Sequence, residues 1–117
     1  MHVARFPKES RLRKRRDFVT VQQTGRKVSA DCLLGLALKR PDAGRRLGVT
    51  VSSTVGNAVV RNRVKRRLRE LFRTRQGALP EGIELVVIAR QSAAEADFDR
   101  LAKAYDKLAR ELHKVRW

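Results

Sequence analysis

Between Arg61 and Arg69, inside the stretch GNAVVRNRVKRRLRELFR (56–73), six of nine side chains are Arg or Lys. Like charges three or four residues apart on a helix repel by a few tenths of a kcal/mol per pair. Only Glu70 stands on the same segment to relieve them. From 61 to 75 Arg outnumbers Lys seven to one, and guanidinium forks match the geometry of phosphate oxygens. The chemistry on offer is therefore recognition of a polyanion, with the repulsion relieved as phosphates displace condensed counterions.

No comparable set of residues offers bond-breaking chemistry. His2 and His113 lie near the two ends, and no partner pattern surrounds them. Cys32 is the single cysteine, so neither an intrachain disulfide nor a cysteine metal site can form. Its apolar flanks, ADCLLGLAL, predict a small buried hydrophobe. There is no phosphate-loop, HExxH or CxxC pattern, and the acids of residues 1–75 are too scattered for a two-metal carboxylate site. The expectation is no catalytic residue and no protein-bound metal.

The charge of the whole chain agrees. Its 117 residues carry a formal +16. Residues 1–75 hold 21 basic and 5 acidic residues, whereas residues 76–117 hold 7 of each. Hydrophobic residues make up 42% of the chain, enough for a modest core, so a single folded domain over 1–117 is expected, with 1–9 as a loose arm. The N-terminus has no apolar signal segment and no run approaches the length of a membrane span, which points to the cytoplasm.

What must hold the basic side chains in place is a helix packed by one stripe. With Val64 at zero and 100° per residue, Val60, Leu68 and Leu71 fall within about 40° of it, and Phe72 lies at a shoulder near 80°. Asn62, Arg66, Arg69 and Arg73 gather about the far pole, flanked by Arg61 and Lys65 on one side and Arg63 and Arg67 on the other. Asn57 is a good N-cap. A DNA-reading helix would carry more amide and hydroxyl side chains among fewer cations. A single-strand-binding sheet would be richer in aromatics than the 5% present. A membrane-surface helix would bring a Trp belt.

The remaining elements follow from patterning. Ser10 is placed to cap a short helix ending at Thr24, with Gly25 as its C′ stop and Leu12, Phe18 and Val21 as its apolar contacts. Residues 28–39 read as one strand, or two with a break. A turn at RPDAG (40–44) and an alternating strand at 45–53 suggest an antiparallel hairpin with it, Leu47, Val49 and Val51 inward and Gly48, Thr50 and Ser52 outward. Residues 83–90 form a short apolar run suited to a central strand. Ser92 and Glu95 form a capping box before a helix whose apolar face is Phe98, Leu101, Ala102, Tyr105, Leu108, Ala109 and Leu112. The order of elements is that of an α+β protein with helices against a small sheet.

At GNAVVRNRVKRRLR (56–69) the chain resembles the protein subunit of bacterial ribonuclease P, whose signature is a basic helix with an Arg-Asn-Arg core. RLRKRRDF with Val21 and Gly25, LGVTVS before the helix, ELVVIAR after it and the final amphipathic helix fit in order, over roughly residues 8–112. The resemblance implies a mainly antiparallel four-stranded sheet packed by about three helices, like the second domain of ribosomal protein S5. It also implies a left-handed β-α-β crossover at the basic helix. It further implies that an RNA subunit with bound Mg²⁺ cleaves precursor tRNA to release the 5′ leader, while the protein binds that RNA and the leader. Carried over by position, Arg61, Asn62, Arg63, Lys65, Arg66, Arg67, Arg69 and, in the same helix, Arg73 would contact RNA. Arg15, Phe18, Leu34 and Leu36 would line a leader cleft. The chain departs from the family pattern in two places: Ser53 and Thr54 replace a usual basic pair, and Leu36 stands where an aromatic is common. The competing class is a ribosomal or general RNA-binding protein, with the same ridge and no leader cleft.

Overall fold

The computed structural model describes residues 10–12, 14–42 and 44–117; the arm expected at 1–9 lies outside them. Four strands, β1 (Arg26–Ala30), β2 (Leu33–Lys39), β3 (Arg45–Thr50) and β4 (Ile83–Ala89), form one sheet in the order β1-β2-β4-β3. β1–β2 and β2–β4 pair antiparallel and β3–β4 parallel, so the sheet is mainly antiparallel. The helices are α1 (Arg15–Thr24), α2 (Ala58–Thr74) and α3 (Phe98–Lys114). α2 connects β3 to β4, which makes the basic helix the crossover of a parallel β-α-β unit.

The hairpin expected between 28–39 and 45–53 does not form. The hairpin lies within 26–39, turned at Asp31 and Cys32, and Asp31 takes a left-handed φ of 49°. β4 separates β2 from β3 because six of its seven residues are buried, which only a central strand provides. Arg40 and Gly44 hold the start of β4: Arg40 N donates to Gly82 O at 2.6 Å and Ile83 N to Gly44 O at 2.9 Å. β3, which begins with two arginines, takes the edge.

Residues of one parity along the strands face α2 and α3, and the other parity faces α1. The first face builds the main core, including Leu33, Leu47, Leu68, Phe72, Leu85, Tyr105 and Leu108. The second carries Leu12, Val21 and Val86 with Phe18, Leu36, Leu38 and Ile88 around them. This second layer corrects the expected outward position of Gly48, which is buried. A Cβ there would lie 2.6 Å from the Phe18 ring, so glycine gives the aromatic its seat on the sheet.

Three helix ends differ from expectation. α1 starts at Arg15 after Lys14, which makes no side-chain cap, and Ser10 is not its cap. Instead Leu12 N donates to Leu47 O at 2.9 Å, laying the preceding segment along the edge of β3 and burying Leu12. Gly25 does follow α1, but with φ −74°. Glycine is needed there for close approach: a Cβ would meet Val21 O at 2.3 Å and Ala37 N at 3.0 Å. The cap of α3 is Asp97, accepting from Arg100 N at 2.8 Å; Ser92 lies in a 3₁₀ turn, Gln91–Ala94. That turn tucks Ala93 into the core, with Ala96 buried just beyond it, which a helix begun at Ser92 would not do. Phe98, the first residue of α3, is consequently 41% exposed, while the rest of the expected face is buried. Cys32 is buried as expected, and burial pushes its thiol up from the ordinary range.

Candidate nucleic-acid interface

α2 begins where expected. Asn57 Oδ1 accepts from Val60 N at 3.0 Å, which satisfies one of the amides that the first turn leaves unpaired. Val64, Leu68, Leu71 and Phe72 are buried and Val60 packs against them. This anchors the helix and turns the opposite side to solvent.

The eight expected RNA contacts do not share one environment. Asn62, Arg66 and Arg69 are exposed, and Arg61 and Lys65 are half-buried at their flank. Arg63 and Arg67 lean the other way: Arg63 Nη2 donates to Ala94 O at 3.1 Å and Arg67 Nη1 to Ala96 O at 3.3 Å. These bonds tie α2 to the 91–97 segment. Arg90 and Arg100 fasten the ends of that region to the β1–β2 turn through Asp31, with Arg100 donating to both carboxylate oxygens at 2.8 and 2.9 Å. The Arg100 guanidinium holds the Asp31 carboxyl below the usual carboxylate range. Arg73 pairs with Glu70 through two guanidinium nitrogens, one at 3.0 Å, and these hydrogen bonds, with the Arg73 charge, lower the Glu70 carboxyl. Helix periodicity alone puts Arg63, Arg67 and Arg73 on the ridge; only the position of 91–97 reveals what two of them hold.

This division has a measurable consequence. Replacing Arg63 and Arg67 together by alanine removes two charge-assisted bonds to backbone carbonyls, each contributing about 1 kcal/mol at such partly exposed sites. The urea midpoint is expected to fall by about 2 kcal/mol divided by the m-value, with the m-value unchanged. The same change at Arg66 and Arg69 should leave the unfolding free energy within about 0.5 kcal/mol of the parent.

The second expected site is partly assembled. Arg15, Phe18, Val19, Gln22 and Thr50 line a groove of about 410 Å³ between α1 and the end of β3. Arg15 and Phe18 are thus brought together. Leu36 instead packs among the side chains under α1, and Leu34 sits opposite Ile88 in the sheet register; neither lines the groove. Val19 and Gln22 were readable in the sequence, since with Arg15 and Phe18 they follow a single helix face at spacings of three and four. Thr50 was not, because its place depends on β3 reaching the sheet edge. Ser53 and Thr54 are exposed just before α2, and the Thr54 hydroxyl lies 2.6 Å from that of Ser52.

Carboxylates are dispersed, and several are paired with arginine. Glu84 is 5% exposed and held by Arg40 at 3.0 Å and Arg46 at 3.3 Å; Asp106 accepts from Arg75 at 2.6 Å. Among the described residues no three His, Cys, Asp or Glu side chains gather as a metal-binding group, and no helix is long and apolar enough to cross a membrane.

An α+β fold with an arginine ridge on its crossover helix defines a polyanion-binding protein. The chain belongs to the ribonuclease P protein family: the family model described as Ribonuclease P matches residues 6–113. It is 39% identical over 108 residues to the ribonuclease P protein component of Dictyoglomus thermophilum, covering 87% of this chain and 90% of that one. Against the same component of Thermobifida fusca it is 42% identical over 116 residues, covering 92% and 78%. The solved ribonuclease P protein of Thermotoga maritima superposes with a TM-score of 0.78 at 32% identity, covering 92% of this chain and 98% of that one. That of Staphylococcus aureus gives 0.79 at 28% identity, with 91% and 96% covered. The function is accordingly that of the protein subunit of a ribonucleoprotein endonuclease in tRNA processing, with the ribonuclease P RNA as partner.

Proposed function

We propose that Asn62, Arg66 and Arg69, with Arg61 and Lys65 beside them, contact the ribonuclease P RNA, and that the groove beside α1 receives the unpaired 5′ leader of precursor tRNA. The observation that supports this is the separation of the two features: an exposed basic pole on α2, and an aromatic groove on the opposite face of the sheet. The ridge supplies mainly phosphate contacts and one central amide. The groove supplies the Phe18 ring for a base and Arg15 for the adjoining phosphate.

In this reading Mg²⁺ is bound by the RNA and the hydrolysis takes place there, in the cytoplasm. The protein's own residues bind and orient. Arg63 and Arg67 act by keeping α2 fixed against 91–97, so that the exposed arginines meet the RNA from a rigid support.

The test is reconstitution with a ribonuclease P RNA at low Mg²⁺. The protein is expected to raise cleavage of precursor tRNA and to cleave nothing without the RNA. Phe18→Ala should weaken precursor tRNA binding about tenfold, within the range of a lost base–aromatic stack, and leave mature tRNA unchanged. Equal losses for the two substrates would remove the groove from the leader's path.

A further inference from the structure

A second concavity lies on the α1 face of the sheet, toward the start of β3. Its walls are Arg11, Lys14, Arg16, Asp17 and Arg46, around a volume of about 270 Å³. Four of the five lining side chains are cationic and none is apolar, so an uncharged ligand finds nothing there to bury. Low-dielectric walls around a group of like charges focus the field into the cavity. Arg46 is oriented by Glu84, its neighbour on β4 and the one buried charged residue among those described. Glu84 also holds Arg40, so a single buried carboxylate sets the positions of two guanidinium groups. Arg11 is set by the bridge that joins its backbone to Leu47 on the edge of β3. The cationic wall is built into the fold and does not rest on mobile surface side chains alone.

Its place relative to the aromatic groove indicates the ligand. Arg46 lines this cavity and Thr50 lines the groove; both are on β3, four residues apart, and point to the same face. That spacing is about 13 Å along the strand, with Phe18 seated over Gly48 between them. We propose that this cavity is a phosphate site for the same single-stranded RNA that occupies the groove. The strand runs along β3 from the Phe18 groove and sets a backbone phosphate among Arg11, Lys14, Arg16 and Arg46. The inference rests on the reading of the groove as a leader site and extends the path of the strand beyond it.

The test uses the full chain, with inorganic phosphate as one probe and an unstructured eight-nucleotide RNA as the other. Lys14 and Arg16 are exposed on the surface of the α1 segment, so the variant K14Q/R16Q keeps the fold. In ¹⁵N spectra at constant ionic strength, phosphate is expected to shift the amides of Lys14, Arg16, Asp17 and Arg46 saturably. The double variant should weaken that binding at least fivefold. For the RNA, the variant should lower the slope of log K against log salt by about 0.7 for each phosphate it no longer neutralises. Phosphate shifts that are unchanged in K14Q/R16Q would overturn the site. Loss of the phosphate response with an unchanged RNA slope would assign the cavity to free phosphate and overturn the strand path. Phe18→Ala separates the two readings. If it leaves RNA affinity intact while K14Q/R16Q still lowers the slope, the groove fails and the phosphate site stands.

Discussion

Replacing Arg66 and Arg69 together by alanine is expected to lower the salt slope of binding to ribonuclease P RNA by about 1.4 to 1.8. Each phosphate no longer neutralised takes away about 0.7 on single-stranded and 0.9 on double-helical nucleic acid. At physiological salt the affinity should fall about 30-fold, taking roughly 1 kcal/mol for each exposed charge-assisted bond. Both side chains are exposed on the pole opposite the buried stripe, so the loss comes from the RNA interface and not from the fold. Free of RNA, the variant should be as stable as the parent, because the substitution also relieves repulsion with Arg63 and Lys65 at helical spacings. Filter binding or titration across a range of KCl concentrations measures the slope. An unchanged slope would take both arginines off the interface.

Phe72→Ala should produce the largest loss of stability, about 3–5 kcal/mol, the usual range for removing a large aromatic from a packed core. Phe72 has no exposed surface and lies in the main core with Leu68 and Leu71. Against a total stability of about 5–15 kcal/mol the variant would be marginal at 37 °C. Its unfolding free energy is read from urea denaturation, with Val59→Ala as the control. Val59 is 74% exposed at the other end of the helix, and its truncation should change stability by less than about 0.5 kcal/mol. Because RNA binds only the folded chain, added ribonuclease P RNA should recover part of the Phe72→Ala loss by mass action. A loss below about 1 kcal/mol would mean that α2 is not anchored through this ring.

The wheel over 56–73 read the anchoring of α2 nearly residue by residue, since Val64, Leu68 and Leu71 are buried and Asn62, Arg66 and Arg69 exposed. Phe72 was the partial miss: it stands at about 80° on the wheel yet is fully enclosed. A long aromatic reaches core that its Cα direction alone does not point to. The bonds that Arg63 and Arg67 make within the chain are illegible for a different reason. Their partners are the carbonyls of Ala94 and Ala96, 31 and 29 residues away, and backbone acceptors leave no trace in side-chain pattern. Leu34 and Leu36 lie outside the groove because Leu36 packs among the side chains under α1, while the groove opens further along, beside Thr50.

The sequence by itself determined the local facts: a basic helix with one apolar stripe, an Asn57 cap, a buried Cys32, apolar strands and an amphipathic last helix. Each of these depends on side chains a few residues apart on one element. Tertiary structure alone decided the strand order, which carried β3 to the edge beside β4 and not into a hairpin with β2. It also decided which arginines of α2 face solvent and which are tied down. Those outcomes depend on what a doubly buried strand such as β4 must have on both sides, and on carbonyls delivered from distant segments. No periodicity within one segment encodes a partner that only the folded chain brings near.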